Sequence, residues 1–388
     1  MNKKILDIEV LRGIAVLFVV IHHANQNLLS WPNPGLAQFY AYFGGAIGVD
    51  LFFAISGFVI ARDLLPKLQQ TDHRDRPRLI IAFWVRRAWR LWPSAWLWLF
   101  VTLLLVFAYN DSHAFGSIRA NIEATIAGIV QAANFRFAEA VDKCEYGASF
   151  VYWSLSLEEQ FYIALPLLAL LMRKYLVYAI GVIALLQLID PRTSTYAMVF
   201  RIDALCLGVL LALFSRRPEY AIARPTFLAN WAGSLSFILL LMVLLLTLGS
   251  RYIYITPYRL SFVALLSAAL VFVASYDSDL IFHRLNFIRG PLIWAGERSY
   301  AIYLTHIPSF FIVRETWYRF TGGAAPSQEQ FLLFTASATG LILLLSELNY
   351  RLIEVPLRKK GARIAGALAT TPQNSGSPPA STGIEVRP

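Results

Sequence analysis

The stretch EVLRGIAVLFVVIHHA, residues 9–24, places Arg12, His22 and His23 inside an apolar run. Arg12 and His23 are about three helical turns apart, so both fall on one face, roughly 16 Å apart along the axis. Val16 and Val19 lie between them. His22 points about 100° away from His23. An arginine can grip an anion through two parallel N–H donors, and a histidine can take up or release a proton near neutral pH. Each charged group at membrane depth costs roughly 2.5–3.5 kcal/mol on insertion scales, so such residues call for a partner, water or a function.

Five further stretches carry groups of this kind. GGAIGVDLFFAISGFVI (44–60) sets Asp50, Ala54 and Gly57 on one face. The glycine suits close helix packing, with Asp50 neutralised by a neighbour. Ser56 lacks the Gly-x-Ser-x-Gly setting of a nucleophile elbow. FWVRRAWRLWP (83–93) combines Arg86, Arg87 and Arg90 with Trp84, Trp89 and Trp92. It reads as an interfacial helix or as a phosphate site, with coenzyme A the cytoplasmic candidate. YWSLSLEEQFYIALP (152–166) aligns Ser154, Glu158 and Phe161. A carboxylate buried there needs a cation or a proton. In FRIDALCLG (200–208), Arg201 and Asp203 are expected to neutralise each other or Glu158. In SYAIYLTHIP (299–308), Ser299, Tyr303 and His306 share a face, and Pro308 is expected to bend the helix. Alone, His306 reads as structural.

The elements that position these groups are membrane helices. Of 388 residues, 57% are hydrophobic and 15% charged, against roughly a quarter charged in soluble chains. Apolar runs recur from end to end. We expect an all-α polytopic membrane domain over 1–356 with about ten transmembrane helices, followed by a disordered cytoplasmic tail, 357–388. The spans are placed at 8–29, 42–61, 91–109, 150–172, 175–190, 196–214, 228–249, 258–276, 291–312 and 329–352. Residues 119–136 form a further apolar stretch, either an eleventh span or an element on the outer surface.

Basic residues in short loops set the orientation. With 119–136 on the outer surface, Lys3-Lys4, the loop 62–90, Arg173-Lys174, Arg216-Arg217-Arg224, Arg284-Arg289 and Arg358 to Arg363 all fall inside, and both termini are cytoplasmic. The net charge of +10 therefore reports orientation and attraction to anionic lipid, not nucleic-acid binding. Cys144 falls in a loop and Cys206 in an apolar run, which argues against a disulfide. The first helix carries Asp7, Glu9 and Arg12 and lacks a small-residue cleavage site, so it is expected to remain as an anchor. No His-Glu-x-x-His, Cys-x-x-Cys, Walker or Gly-x-Gly-x-x-Gly motif is present, and no metal is expected. No internal repeat stands out, which counts against repeat-built transporters, and no ladder of positive residues suggests a voltage sensor.

Taken in order, ILDIEVLRGIAVLFVVIHH, GVDLFFAISGFVI, VRRAWRLWP, YWSLSLEEQFY, FRIDALCLG and SYAIYLTHIP resemble the membrane-bound acyltransferase-3 family over about residues 5–356. The resemblance implies transfer of an acyl group, commonly acetyl, from cytoplasmic acyl-CoA to a hydroxyl of an extracytoplasmic or lipid-linked sugar. It also implies a bacterial inner-membrane location, a carbohydrate acceptor, acyl-CoA as donor with no tightly bound cofactor, and other glycan-assembly membrane proteins as partners. The family pattern of a basic residue followed by an essential histidine falls on Arg12 and His23. Its Arg-x-x-Arg falls on Arg87 and Arg90, with Arg86 adjacent, and its glutamate on Glu158. Some relatives add an esterase-like domain outside the membrane, so a second step in this system is expected to need a separate protein.

On this reading His23 deprotonates the acceptor or transiently carries the acyl group. Glu158 or Asp50 orients and charge-balances it. Arg86, Arg87 and Arg90 hold the CoA phosphates. Arg12 lines the passage for the pantetheine arm, and Ser154, Tyr303 and His306 contact substrate. The main alternative is a proton-coupled transporter or glycan flippase, in which the same groups form a relay. A non-catalytic scaffold is the third reading.

Overall fold

The structure, a computed structural model, describes residues 4–369 apart from 142, 251, 254–255, 278–280 and 282–285. The described chain is a helical bundle containing no strand. The first half holds α1 (Leu6–Asn27), α2 (Pro34–Tyr42), α3 (Gly48–Gln70), α4 (Arg76–Ala108), α5 (Ile118–Ile129), α6 (Ala133–Ala140), α7 (Tyr152–Met172) and α8 (Leu176–Leu188). The second holds α9 (Thr195–Val199), α10 (Asp203–Phe214), α11 (Pro218–Ile222), α12 (Trp231–Gly249), α13 (Arg259–Ser275), α14 (Asn286–Glu297), α15 (Ser299–Thr321), α16 (Phe331–Asn349) and α17 (Val355–Ala369).

By length and composition, six helical segments are apolar enough to cross a membrane: 45–70, 76–108, 152–188, 195–214, 231–249 and 328–369. The chain is a multi-pass membrane protein. The expected spans 8–29, 258–276 and 291–312 correspond to helices outside this set, because α1 and α15 carry the charged and polar residues of the site and α13 is only 17 residues long. Residues 119–136 do not span. They divide into α5 and α6, of 12 and 8 residues, and even α5 is only about 18 Å long at 1.5 Å per residue.

The expected loop 62–90 is largely helical, including the stretch 83–93 read as an interfacial helix. Residues 62–70 extend α3 and residues 76–90 open α4, so only 71–75 connect them and all three arginines of 83–93 are helical. The expected disordered tail begins instead as α17, in which Gly361 packs against the Trp89 side chain of α4. Residues 370–388 and Arg284 lie outside the described residues.

Glycines bring the central helices together. A Cβ on Gly57 of α3 would sit 2.1 Å from the Leu205 carbonyl oxygen of α10, and one on Gly208 of α10 would sit 2.2 Å from that of Ala54. The two backbones are therefore in direct contact, as small residues permit in apolar surroundings. Gly13 against Leu292 and Gly296 against Glu9 seat α1 on α14 in the same way. These seams fix α1, which carries the first candidate residues.

Candidate active site

The helical path of α1 stops just after His23. Asn25 (φ −60°, ψ 125°) and Gln26 (φ 64°, ψ −26°) leave helical geometry. The His23 carbonyl, released by this break, accepts from Asn27 Nδ2 at 2.8 Å. His23 Nδ1 stands 2.9 Å from Nε2 of His306, with the two rings only 12° from coplanar. His306, on α15, is fully buried, and its Nδ1 lies 3.3 Å from the Ile302 carbonyl one turn earlier.

These contacts fix the proton arrangement. A carbonyl oxygen only accepts, so Nδ1 of neutral His306 carries the proton and its Nε2 carries a lone pair. His23 Nδ1–H then donates to that lone pair. The Nε2 of His23 is left with its own lone pair and is the atom of the couple able to accept a proton.

Five helices, α1, α3, α4, α7 and α15, converge on a cavity of about 90 Å³ next to this couple. Its wall includes Arg12, Arg87, Arg90, Glu158, Ser154 and Tyr303. Arg12 is held by Glu9 at 3.2 Å. The Arg87 guanidinium lies 5.5 Å from the ring centroids of both Phe83 and Tyr162. Glu158 accepts from the Tyr162 hydroxyl. Arg86 is half-buried but is not part of this wall. Glu159, passed over in the sequence as a neighbour of Glu158, also lines the cavity and accepts from Trp92 Nε1 at 3.3 Å.

Ser154 and Tyr303 close the end of the cavity nearest the histidines. Their hydroxyl oxygens are 2.8 Å apart, and each is 3.2 Å from the Val151 carbonyl. One hydroxyl donates to that carbonyl and the other to its neighbour, so both protons are used in joining α7 to α15. The Tyr303 ring centroid is 5.6 Å from that of His306.

A second cavity, of about 390 Å³, opens on the far side of the couple. Phe115, Phe137, Phe150 and Phe311 contribute to its wall, with Asn27 and Glu145. The Phe150 ring meets the His23 ring edge-on, with centroids 5.3 Å apart. Three helices agree on the order of these parts. Along α1 the sequence runs Arg12, His23, Asn27; along α15, Tyr303, His306, Phe311; and entering α7 it runs in reverse, Phe150, Ser154, Glu158. The histidine couple therefore sits between an arginine-lined chamber and an aromatic one.

The expected charge pairs are arranged differently. Asp50 is fully buried and binds Arg201 through both oxygens, at 2.7 and 3.0 Å. Among the described residues its side-chain hydrogen bonds go to Arg201, and none goes to His23. Arg201 also covers the Trp153 ring at 5.2 Å and donates to the Met198 carbonyl at 2.7 Å. Asp203 pairs not with Arg201 but with Arg192, a residue the sequence did not single out. Glu158 has Tyr162 as its hydrogen-bond partner instead of either histidine or Arg201. The partner that meets His23 is thus His306. Its mid-helix placement among apolar residues was the available signal, but helical phase alone does not reveal which neighbouring helix it faces.

Comparison with known proteins identifies relatives of this chain. The chain is 30% identical to the putative peptidoglycan O-acetyltransferase YrhL of Bacillus subtilis (strain 168), over 93% of this chain and 56% of that protein. It is 27% identical to the peptidoglycan O-acetyltransferase OatA of Listeria monocytogenes, over 93% of this chain and 57% of OatA. It is 26% identical to the O-acetyltransferase OatA of Staphylococcus aureus (strain NCTC 8325 / PS 47), over 94% of this chain and 58% of OatA. The chain thus spans little more than half the length of these relatives. No solved structure matches. The family model for an acyltransferase domain matches residues 5–347, which takes in the arginine-lined chamber and both histidines, and the chain belongs to the acyltransferase 3 family.

Proposed function

We propose that this protein is a membrane-embedded O-acyltransferase that moves an acyl group, acetyl in the first instance, from cytoplasmic acyl-CoA to a hydroxyl of an extracytoplasmic or lipid-linked glycan. The observation that carries the proposal is the His23–His306 couple next to a chamber lined by Arg12, Arg87, Arg90 and Tyr303, the Tyr303 ring lying 5.6 Å from that of His306. The relatives' names supply acetyl and glycan as the first choices. Basic residues crowd the arginine end of α4, which supports a cytoplasmic side for that end under the positive-inside rule.

In this reading Arg87 and Arg90 bind coenzyme A phosphates by charge-assisted hydrogen bonds, and Arg12 lines the path of the pantetheine arm. The arm is on the order of 15–20 Å long, comparable with the roughly 16 Å of helix between Arg12 and His23. Nε2 of His23 removes the acceptor's hydroxyl proton as the oxygen attacks the thioester carbonyl. The tetrahedral adduct collapses with cleavage of the C–S bond. The His23 proton passes to the departing thiolate, giving free coenzyme A and the O-acyl glycan. His306 keeps the imidazole of His23 in the required tautomer throughout, as the third group of a nucleophile–base–orienter set does.

The test is acetyl-CoA consumption by purified protein in nanodiscs, with and without glycan. Glycan-dependent release of coenzyme A, abolished in His23→Ala, is the expected result. Glycan movement without coenzyme A release would instead establish a transporter.

A further inference from the structure

The aromatic chamber on the far side of the histidine couple shares no lining residue with the arginine-lined chamber. We propose that it is the acceptor site, and that it takes one or two pyranose units of a glycan chain. The inference rests on the acyltransferase reading and extends it to the second substrate. A hydroxyl reaching His23 must approach from the side the thioester does not occupy, and this chamber is that side.

Its construction suits a sugar. At about 390 Å³ it lies within the ~300–1,000 Å³ usual for small-molecule sites. Half-buried Phe137 and Phe150 offer apolar rings against which the C–H face of a pyranose can stack. Asn27 and Glu145 supply an amide and a carboxylate for ring hydroxyls. The cup is also rigid. Buried Asn121 donates to the carbonyls of Phe115 and Ser117 and accepts from Ala148 N at 2.9 Å, clasping the two wall loops together. Gly147, at φ +99°, passes so close to Asn121 that a Cβ there would lie 2.8 Å from its Oδ1. Glu145 Oε1 accepts from Ser117 N at 3.0 Å, which fixes the carboxylate at the rim.

Phe150 is the partition. Its ring belongs to the wall of this chamber and also meets the His23 ring edge-on at 5.3 Å. A sugar stacked in the cup is therefore one aromatic side chain away from the base.

Cys144, exposed at the rim of the cup, provides the test without altering the chamber, because Cys206 is buried. The probe is a tetrasaccharide of alternating N-acetylglucosamine and N-acetylmuramic acid. In nanodiscs without acetyl-CoA, it should slow maleimide labelling of Cys144 by 1 + [L]/Kd, about tenfold at ten times Kd. Attachment of a polyethylene-glycol maleimide should raise the KM for the tetrasaccharide at least tenfold. Acetyl-CoA affinity, read by calorimetry, should change less than twofold, and Cys144→Ser should show no effect of the reagent. Absence of protection, or labelled protein with unchanged acceptor KM, would overturn the site. Protection is read without any reaction, so loss of glycan-dependent turnover in the untreated protein would count against the acyltransferase reading and not against the cup.

Discussion

Nε2 of His306 accepts a hydrogen bond from Nδ1 of His23 across the α1–α15 interface, at 2.9 Å. A neutral imidazole, held in one tautomer by the Ile302 carbonyl, occupies the position where many histidine bases have a carboxylate. The consequence is geometric. His306 fixes which nitrogen of His23 is free, and it does so without adding a charge to a buried region.

Replacement of His306 tests this directly. In His306→Gln the side-chain oxygen can take the place of Nε2 as acceptor, whereas His306→Leu removes the acceptor and preserves bulk. We expect His306→Leu to lower kcat by 100-fold or more, the scale on which misplaced acid–base groups act. His306→Gln should stay within about tenfold of the parent, with KM for acetyl-CoA unchanged in both. Equal loss in the two variants would show that packing, not the accepted hydrogen bond, is what His306 supplies.

The three neighbouring arginines should separate by function. Arg87 and Arg90 belong to the chamber wall and Arg86 does not. Hydrogen bonds to charged groups contribute about 1.5–3 kcal/mol each. Arg87→Ala and Arg90→Ala should therefore raise the KM for acetyl-CoA by roughly 10- to 100-fold. Arg86→Ala should move it less than threefold. Steady-state kinetics with the acceptor saturating decides between this and a shared role for all three.

Much of this arrangement could be read in the sequence because α-helical phase is reliable over short distances. Arg12 and His23 fall on one face at any plausible register, and Arg87 and Arg90 are one turn apart. What helical phase leaves open is which helix faces which. Asp50, Arg201, Asp203 and Arg192 form two pairs, and the choice among pairings depends on the break between α9 and α10 that frees Arg201 to turn toward α3. The reach of α4 down to Arg76 was hidden for another reason. A run rich in arginine reads as loop when hydropathy is the guide, although arginine is a good helix former. For 119–136, length was the missing quantity: composition allowed a span, but the helix ends at Ile129.

The Asp50–Arg201 pair is predicted to be structural. Both groups are buried, and removing one partner leaves an uncompensated charge, at a cost of about 3–5 kcal/mol. Asp50→Ala and Arg201→Ala should each lower the melting temperature of the detergent-solubilised protein. The double variant should be less destabilised than the sum of the two. A variant that melts like the parent but has lost turnover would return Asp50 to the catalytic group.

The Gly57–Gly208 seam joins α3, which carries Asp50, to α10, which begins two residues after Arg201, so the ion pair and the seam should fail together. An alanine at either position places a methyl group 2.1–2.2 Å from a backbone oxygen, and the helices must separate to accept it. Overpacking of this kind costs about 1–3 kcal/mol. Separation of α3 from α10 also stretches the Asp50–Arg201 contact that bridges them. Gly57→Ala should therefore be strongly destabilising in the parent. It should be less so in a background where Asp50 and Arg201 are both replaced by apolar residues, because that background has no buried ion pair left to break. Thermal melting of the four proteins in one detergent gives the coupling. Strict additivity would show that the glycine seam and the ion pair are independent supports of the bundle.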